Sequence, residues 1–223
     1  MAEKDKSNPV DKSDGGEKLK ILMVSAELGN AKAQLKLGLS YQRGVGVAQD
    51  FAEAAKWYRK AAEQGNADAQ YCLGMLYNNG RGVEKDYGQA LKWFNAAAVQ
   101  GHIHAQYFIG LYYFLGIGMP IRYAEAFKWY KRAAEQGHYQ AQFNVGTFYC
   151  NGITVERDYV EGAKWYLRAA EQGYDVAQYH LGKCYFEGRG VDKNIEEAVK
   201  WYKRAAEQGN GDAIARLAQL GVN

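Results

Sequence analysis

The chain has 223 residues, of which 48% are apolar and 24% are charged, and its 28 Lys and Arg against 25 Asp and Glu give a formal net charge of +3. This length supplies apolar material for one or two ordinary domains, and so weak a positive charge does not favour nucleic acid or an anionic membrane as the default partner. No run of about 18 apolar residues occurs, so the sequence predicts no membrane-spanning helix.

The N-terminal segment, residues 1–18, is polar. Lysines alternate with acidic residues, and no apolar stretch of a secretory signal occurs. Such a segment cannot bury enough apolar surface to offset chain entropy, so it is predicted to be a disordered tail, native or left by a trimmed leader. Three cysteines without a CxxC spacing indicate reduced thiols. We therefore expect a cytoplasmic protein, with the periplasm as the alternative if a leader was removed.

A 36-residue repeat fills most of the chain. The string WYRKAAEQG, which ends at Gly65, recurs four more times in similar form, and the tryptophans fall at equal intervals, at Trp57, Trp93, Trp129, Trp165 and Trp201. This recurrence predicts five repeats, at residues 30–65, 66–101, 102–137, 138–173 and 174–209. Half-repeats flank them, and we expect an N-terminal capping helix at residues 19–29 and a C-terminal capping helix at residues 210–223.

The first half of each repeat has the pattern of a helix. Apolar residues recur at steps of four, as in Ala69, Leu73 and Tyr77, and these steps place them on one helical stripe. Glycine follows the Leu73 position in all five repeats, as at Gly74. Because glycine inside a helix costs about 1 kcal/mol relative to alanine, its recurrence indicates the close approach of a neighbouring helix.

A glycine-rich turn leads into a second helix in each repeat. The turn glycines supply positive φ, and Thr154 departs from the pattern in the fourth repeat. The second helix is predicted to end at a glycine in the left-handed conformation. Arg122 cannot cap the second helix of the third repeat, so this helix is expected to fray at its start. The predicted N-caps of the other second helices are Asp50, Asp86, Asp158 and Asn194.

Each repeat is thus predicted to be a pair of antiparallel helices that cannot bury its apolar stripe alone. Stacked pairs can bury it, so the predicted fold is an all-α solenoid with a groove. The unit A-x-A-Q-Y-x-L-G-x-x-Y-x-x-G-x-G-V-x-x-D-Y-x-x-A-x-K-W-Y-x-x-A-A-E-Q-G resembles the Sel1-like repeat, a relative of the tetratricopeptide repeat, over residues 30–209. The resemblance implies a right-handed α-solenoid, or superhelix, of helix-turn-helix repeats.

The same resemblance implies a non-catalytic adaptor or scaffold, often bacterial, that binds a partner protein or peptide in the concave groove. The alternative is a penicillin-binding protein with weak β-lactamase activity, because a cysteine-rich branch of the family also resembles this chain. That branch pairs cysteines within each repeat, whereas Cys72, Cys150 and Cys184 fall in three different repeats and columns. Since neighbouring helices pack about 8–10 Å apart, a disulfide between Cys150 and Cys184 would be strained.

The first helices are expected to line the groove. Four positions of this helix change residue type from repeat to repeat, as a recognition surface requires. The third repeat is apolar at these positions, and its neighbours are polar, as in a binding patch with a polar rim. The alternative is that its aromatic rings, Tyr112 and Phe114 above all, pack against adjacent helices. The predicted partner-binding residues are Met75, Asn79, His104, Phe108, Leu111, Leu115, Asn144, Thr147 and Asn151.

The sequence contains no pattern that indicates catalysis. Motifs of serine hydrolases, zinc proteases and phosphate-binding loops are missing, and we expect no enzyme activity, no cofactor and no metal site. His138 is interpreted as a loop histidine. A lysine precedes every tryptophan, and in four repeats a glutamate three residues earlier balances it, as on a solvated ridge. The expected partner is a protein or peptide, with no nucleic acid and no membrane insertion.

Overall fold

The computed structural model describes residues 12–222, which form twelve α-helices and no strand. The predicted all-α class is therefore confirmed over this part of the chain. The helices group into two compact units that divide between Gln100 and Gly101. Within each unit the helices alternate between the first and the second helix of a repeat, and successive helices pack on one another.

The first unit contains five helices. These are α1 (Lys12–Glu27), α2 (Ala31–Arg43), α3 (Phe51–Glu63), α4 (Ala67–Asn79) and α5 (Tyr87–Ala98). Helix α1 begins seven residues before the start at Leu19 that the sequence predicts. Its additional N-terminal turns do not need an apolar stripe, since residues 16–18 are exposed. The rest of the predicted disordered tail, residues 1–11, lies outside the described residues.

The second unit contains seven helices. These are α6 (Ile103–Leu115), α7 (Tyr123–Glu135), α8 (Tyr139–Asn151), α9 (Tyr159–Glu171), α10 (Asp175–Glu187), α11 (Ile195–Glu207) and α12 (Gly211–Gln219). The last of them, α12, lies within the predicted C-terminal capping segment and packs on α11.

The recurring alanine and leucine positions form the core of each unit. Ala69 and Leu73 are fully buried, as are Ala141 and Val145 in the second unit, whereas the tyrosine at the third position of the stripe, such as Tyr77, is only half-buried. The fully buried part of the stripe thus includes the alanine and leucine positions, and the tyrosine position stays partly exposed.

The glycine inside each first helix receives an aromatic ring from the second helix of the same repeat. A Cβ added at Gly74 would lie 2.7 Å from Cδ1 of Phe94, and one added at Gly146 would lie 2.8 Å from Cδ1 of Tyr166. Real Cβ atoms do not approach a ring so closely. The predicted close approach is confirmed, and its cause is a flat ring seated on a backbone without a side chain.

The helix ends also follow the sequence. The Asp50 and Asn194 side chains each accept a hydrogen bond from an N–H of the first turn that follows them, and Arg122 makes no such bond. Every second helix is followed within two or three residues by a glycine with φ between 85° and 96°, as at Gly65. Thr154 has a φ of 61° and is the one non-glycine residue with positive φ in the described part of the chain.

Candidate functional site

The predicted binding residues of the third repeat lie along one face of α6. His104 and Leu115 are exposed, Leu115 by 53%, and Phe108 and Leu111 are half-buried. The ring of Phe108 meets the ring of Tyr107 edge-on, with 5.7 Å between the centroids. The face is therefore accessible to a partner, and neither Phe108 nor Leu111 is enclosed in the core.

Tyr112 and Phe114 instead pack inward, as the alternative interpretation of the sequence expects. Tyr112 is fully buried. The ring of Phe114 contacts those of Tyr123 and Phe148, with centroid separations of 5.4 and 5.9 Å. These two aromatic residues belong to the core of the second unit.

The polar residues predicted to flank this patch lie on α8. Asn144 and Thr147 are half-buried, and Asn151 is exposed. The hydroxyl of Thr147 donates to the carbonyl of Phe143 at 3.1 Å and lies 3.2 Å from the Tyr166 hydroxyl. Helices α6 and α8 both pack on α7. The predicted residues of α6 and those of α8 therefore lie on the first helices of successive repeats in the second unit.

Two further predicted residues, Met75 and Asn79, lie on α4 in the first unit. Met75 is half-buried, and Asn79 is exposed and accepts a hydrogen bond of 2.9 Å from the Asn78 side chain. A contribution of these two residues to binding remains a prediction.

His138 is not the loop histidine that the sequence analysis expects. It is the N-cap of α8, it is 7% exposed, and its Nδ1 accepts a hydrogen bond of 3.3 Å from the backbone N–H of Ala141. Its ring stacks on Tyr107 at 4.4 Å and meets the ring of His104 at 5.1 Å. Burial, followed by the neighbouring charge of His104, lowers the pKa of His138 to about 4.

The second unit contains a cavity of about 230 Å³ between α8, α9 and α10. Residues from both first helices line it, and they occupy the variable positions that the sequence analysis singles out. Thr147 and Asn151 are among the predicted binding residues, and Lys183 and Glu187 stand at the same two positions one repeat later. The lining residues are Thr147, Cys150, Asn151, Arg157, Tyr159, Tyr166, His180, Lys183, Cys184, Glu187 and Arg189.

The charges around this cavity are mostly positive. Arg157, Lys183 and Arg189 stand against the single carboxylate of Glu187, which lies 3.0 Å from Nε of Arg189 and 4.0 Å from Nζ of Lys183. Burial, and then the charge of Lys183, lower the pKa of His180, so that its imidazole is neutral at pH 7. The cavity therefore has a positive rim, and tyrosine, threonine and thiol groups line its walls.

This cavity is not predicted from the sequence, although the repeats contain one signal for it. Residues at the same variable position in consecutive repeats, such as Thr147 and Lys183, come from neighbouring first helices. The predicted binding patch is instead defined by its apolar residues, and these lie in the third repeat. The depth of the cavity depends on how Tyr166 and Cys150 are seated, and this cannot be read from spacing.

Within residues 12–222, no three His, Cys, Asp or Glu side chains are arranged so that they could hold a metal ion. No helix among these residues combines the length and apolar character needed to cross a bilayer. On the helix faces, the predicted lysine–glutamate pairs form, as at Lys128 and Glu125 with 2.7 Å between the charged atoms. Because these pairs are exposed, they contribute little to stability.

A model of the Sel1 repeat matches the chain five times, at residues 31–66, 67–102, 103–138, 140–174 and 175–210. The chain belongs to the Sel1 repeat family. Members of this family are generally protein–protein interaction scaffolds. The matched segments begin one or two residues after the predicted repeat starts. No protein with curated annotation matches the chain.

Solved structures of Sel1 repeat proteins are similar to this one. A protective antigen of uropathogenic Escherichia coli with an SLR fold is 38% identical, with a TM-score of 0.88 over 92% of this chain and 44% of the other. A Sel1 repeat protein from Oxalobacter formigenes is 37% identical, with a TM-score of 0.85 over 94% of this chain and 86% of the other. The chain thus spans less than half of the E. coli protein, and the likeness confirms the helical-repeat solenoid class.

Proposed function

We propose that this Sel1 repeat protein is a non-catalytic scaffold that binds a partner peptide along the first helices of its second unit. An acidic side chain of the peptide would enter the cavity between α8, α9 and α10. The observation that carries the proposal is the cavity itself, because residues at the variable repeat positions line it and its rim is positive. A carboxylate there would pair with Arg157 or Arg189.

The apolar residues of α6 would extend the contact with the peptide beyond the cavity. Phe108, Leu111 and Leu115 offer apolar surface next to the polar residues of α8, and such a surface suits the apolar side chains of the same peptide. In many interfaces a few residues near the centre contribute most of the binding free energy. The three unpaired cysteines fit a reducing compartment, and we place the protein in the cytoplasm.

The test uses peptides selected from a displayed random library and then synthesised as pairs that differ by Glu or Gln at one position. We expect the Glu peptide to bind about ten-fold more tightly than its Gln partner, as for a charge-assisted hydrogen bond. The R157Q R189Q double variant should remove this preference. Lys36→Gln, an exposed change on α2 of the first unit, is the matched control and should leave the Kd unchanged.

A second variant separates the two parts of the surface. F108S L111S should weaken binding of both peptides of a pair equally, because these residues do not contact the acidic group. Selected peptides without an acidic preference, or an unchanged Kd in both double variants with their helix content intact, would contradict the proposal.

A further inference from the structure

Two thiols from neighbouring repeats meet at the cavity of the second unit. Cys150 lies on α8 and Cys184 on α10, and both line the cavity. The thiol of Cys184 and the hydroxyl of Tyr166 on α9 lie beside the sulfur of Cys150. The sulfur is therefore at the edge of a space that solvent molecules can enter, with two polar groups next to it.

The backbone of α9 makes room for this sulfur. A Cβ added at Gly162 would lie 2.3 Å from Sγ of Cys150. An alanine at this position would therefore clash with the sulfur where it now lies. The other four repeats have alanine at the corresponding position of the second helix: Ala54, Ala90, Ala126 and Ala198. Glycine costs about 1 kcal/mol in a helix relative to alanine, so this one departure is explained by the thiol that it accommodates.

The surroundings of Cys150 stabilise its thiolate. The thiol of Cys184, followed by the hydroxyl of Tyr166, lowers the pKa of Cys150 against the opposing effect of burial, and the charge of Arg189 adds to the lowering. The same contact raises the pKa of Cys184. Cys72 in the first unit is the internal contrast, because burial raises its pKa to about 11.

We propose that Cys150 is a modification site, at which the thiolate forms a mixed disulfide with an anionic low-molecular-weight disulfide such as oxidised glutathione. The positive rim of Arg157, Lys183 and Arg189 would attract the carboxylates of this reagent. The cavity beside the sulfur gives it access to the thiolate. This inference does not require that the cavity also binds a peptide.

The reaction balances as a thiol–disulfide exchange. The Cys150 thiol loses its proton to solvent, and the thiolate attacks one sulfur of the reagent and forms the new S–S bond. The S–S bond of the reagent breaks, and its other half leaves as a thiolate that takes up a proton. Cys150 is oxidised, and the leaving half is reduced.

Cys184 does not displace the adduct, because the helices that carry the two thiols lie too far apart for a disulfide. Helices α8 and α10 both pack on α9, and helix axes lie about 8–10 Å apart, whereas a disulfide needs Cα atoms within about 4.4–6.8 Å. The product is therefore the mixed disulfide and not a bond between α8 and α10.

The test treats the reduced full chain at pH 7 with oxidised glutathione or, in parallel, with the cationic disulfide cystamine. Intact mass and peptide mapping then give the site and rate of each adduct. We expect a single glutathione adduct at Cys150, formed about ten-fold faster than any adduct at Cys72 and faster than the cystamine adduct. Arg189→Gln should slow the reaction with glutathione disulfide and speed the reaction with cystamine.

Two variants show whether a change in the rate of modification comes from altered folding. Cys184→Ala removes the thiol beside Cys150 and should slow modification of Cys150, and Cys72→Ala should leave the rate unchanged, with helix content followed by circular dichroism in both. Equal rates at Cys72 and Cys150, a Cys150–Cys184 disulfide as the product, or no adduct at Cys150 would each overturn the proposal.

Discussion

The side chain of Gln142 joins two successive repeats, because its Oε1 accepts a hydrogen bond of 2.7 Å from Nε2 of Gln172 while its own Nε2 donates to the carbonyl of Ala134 at 3.2 Å. Gln142 is buried at the start of α8, Ala134 lies in the last turn of the helix before it, and Gln172 follows the helix after it. The pattern recurs within each unit, as in Gln70, which bonds to Ala62 and Gln100. These glutamines give helix-end carbonyls a second donor, beside the backbone N–H of the glycine that follows the helix.

Replacing Gln142 by leucine should therefore destabilise the second unit by about 1 kcal/mol, since its two hydrogen bonds are lost while the carbonyl of Ala134 keeps the bond from the N–H of Gly137. Gln172→Ala should cost about 0.5 kcal/mol, because Gln172 is exposed and water replaces its bond. Urea unfolding followed by circular dichroism measures both. Additive losses in the double variant would show that the two amides do not interact.

Gly146 and these glutamines show which packing contacts can be predicted from the sequence and which cannot. The glycine column predicts a close approach, because glycine has a known cost in a helix and a packing reason must offset it. A polar residue such as Gln142 on a helix carries no comparable signal, since periodicity alone places it at the surface. Its role depends on which carbonyl lies opposite it, and only the packed repeats determine this.

The candidate site is less predictable than the fold for the same reason. Variable positions such as Thr147 and Lys183 can be found by aligning the repeats of the chain with each other. Whether they line a cavity or a flat face depends on the exchange of alanine for glycine at Gly162 and on the place of the Cys150 sulfur. These are differences of about one methyl group, to which helical periodicity is insensitive.

Acid should destabilise the second unit through His138. Its pKa is about 4 in the folded chain and about 6.5 when unfolded, so the unfolded chain binds the extra proton between these values. The stabilisation is complete above about pH 6.5 and is lost as the pH falls towards 4, by up to about 3 kcal/mol. His180, whose pKa is also lowered, contributes with the same sign.

His138→Asn is the matched variant for this prediction. Asn30, Asn66 and Asn210 cap the corresponding helices with the same bond, so the variant keeps the cap and removes the titrating group. Urea unfolding at several pH values between 7 and 4.5 should show a smaller loss of stability in the variant than in the wild type. Equal slopes would mean that His138 does not titrate on unfolding.

Thr154 should be a point of strain in the fourth repeat. Its φ of 61° is costly for a residue with a Cβ, and Gly190 holds the same place one repeat later with a φ of 74°. Thr154→Gly should stabilise the second unit by about 0.5–1 kcal/mol after the entropy of glycine is counted. Thr154→Ala keeps the Cβ and should bring no gain.

Gly190→Ala is the converse change. A Cβ added there would lie 1.9 Å from the carbonyl oxygen of Tyr159 on the preceding helix, so the turn must move away from α9. We expect a loss of about 2 kcal/mol or more in urea unfolding. A loss below about 0.5 kcal/mol would show that the turn yields easily, and the strain assigned to Thr154 would then be doubtful as well.

Tyr130 has a hydroxyl that the fold does not use. Among the described residues it is the one buried side-chain polar atom without a hydrogen-bond partner, and burial raises its pKa. The second repeat has Phe94 at the same position, so the ring is needed and the hydroxyl is not. Tyr130→Phe should therefore stabilise the second unit by about 1 kcal/mol, because an unsatisfied polar group is removed at constant packing.

Tyr166→Phe is the control for this change. The Tyr166 hydroxyl lies 3.2 Å from that of Thr147 and forms a hydrogen bond with it, so its removal should lower the free energy of unfolding by about 1 kcal/mol. The two variants delete the same atom from the same repeat position, and only the partners differ. Opposite signs in urea unfolding are thus expected, and a loss of equal size in both would show that Tyr130 finds a partner in solution, such as an enclosed water molecule.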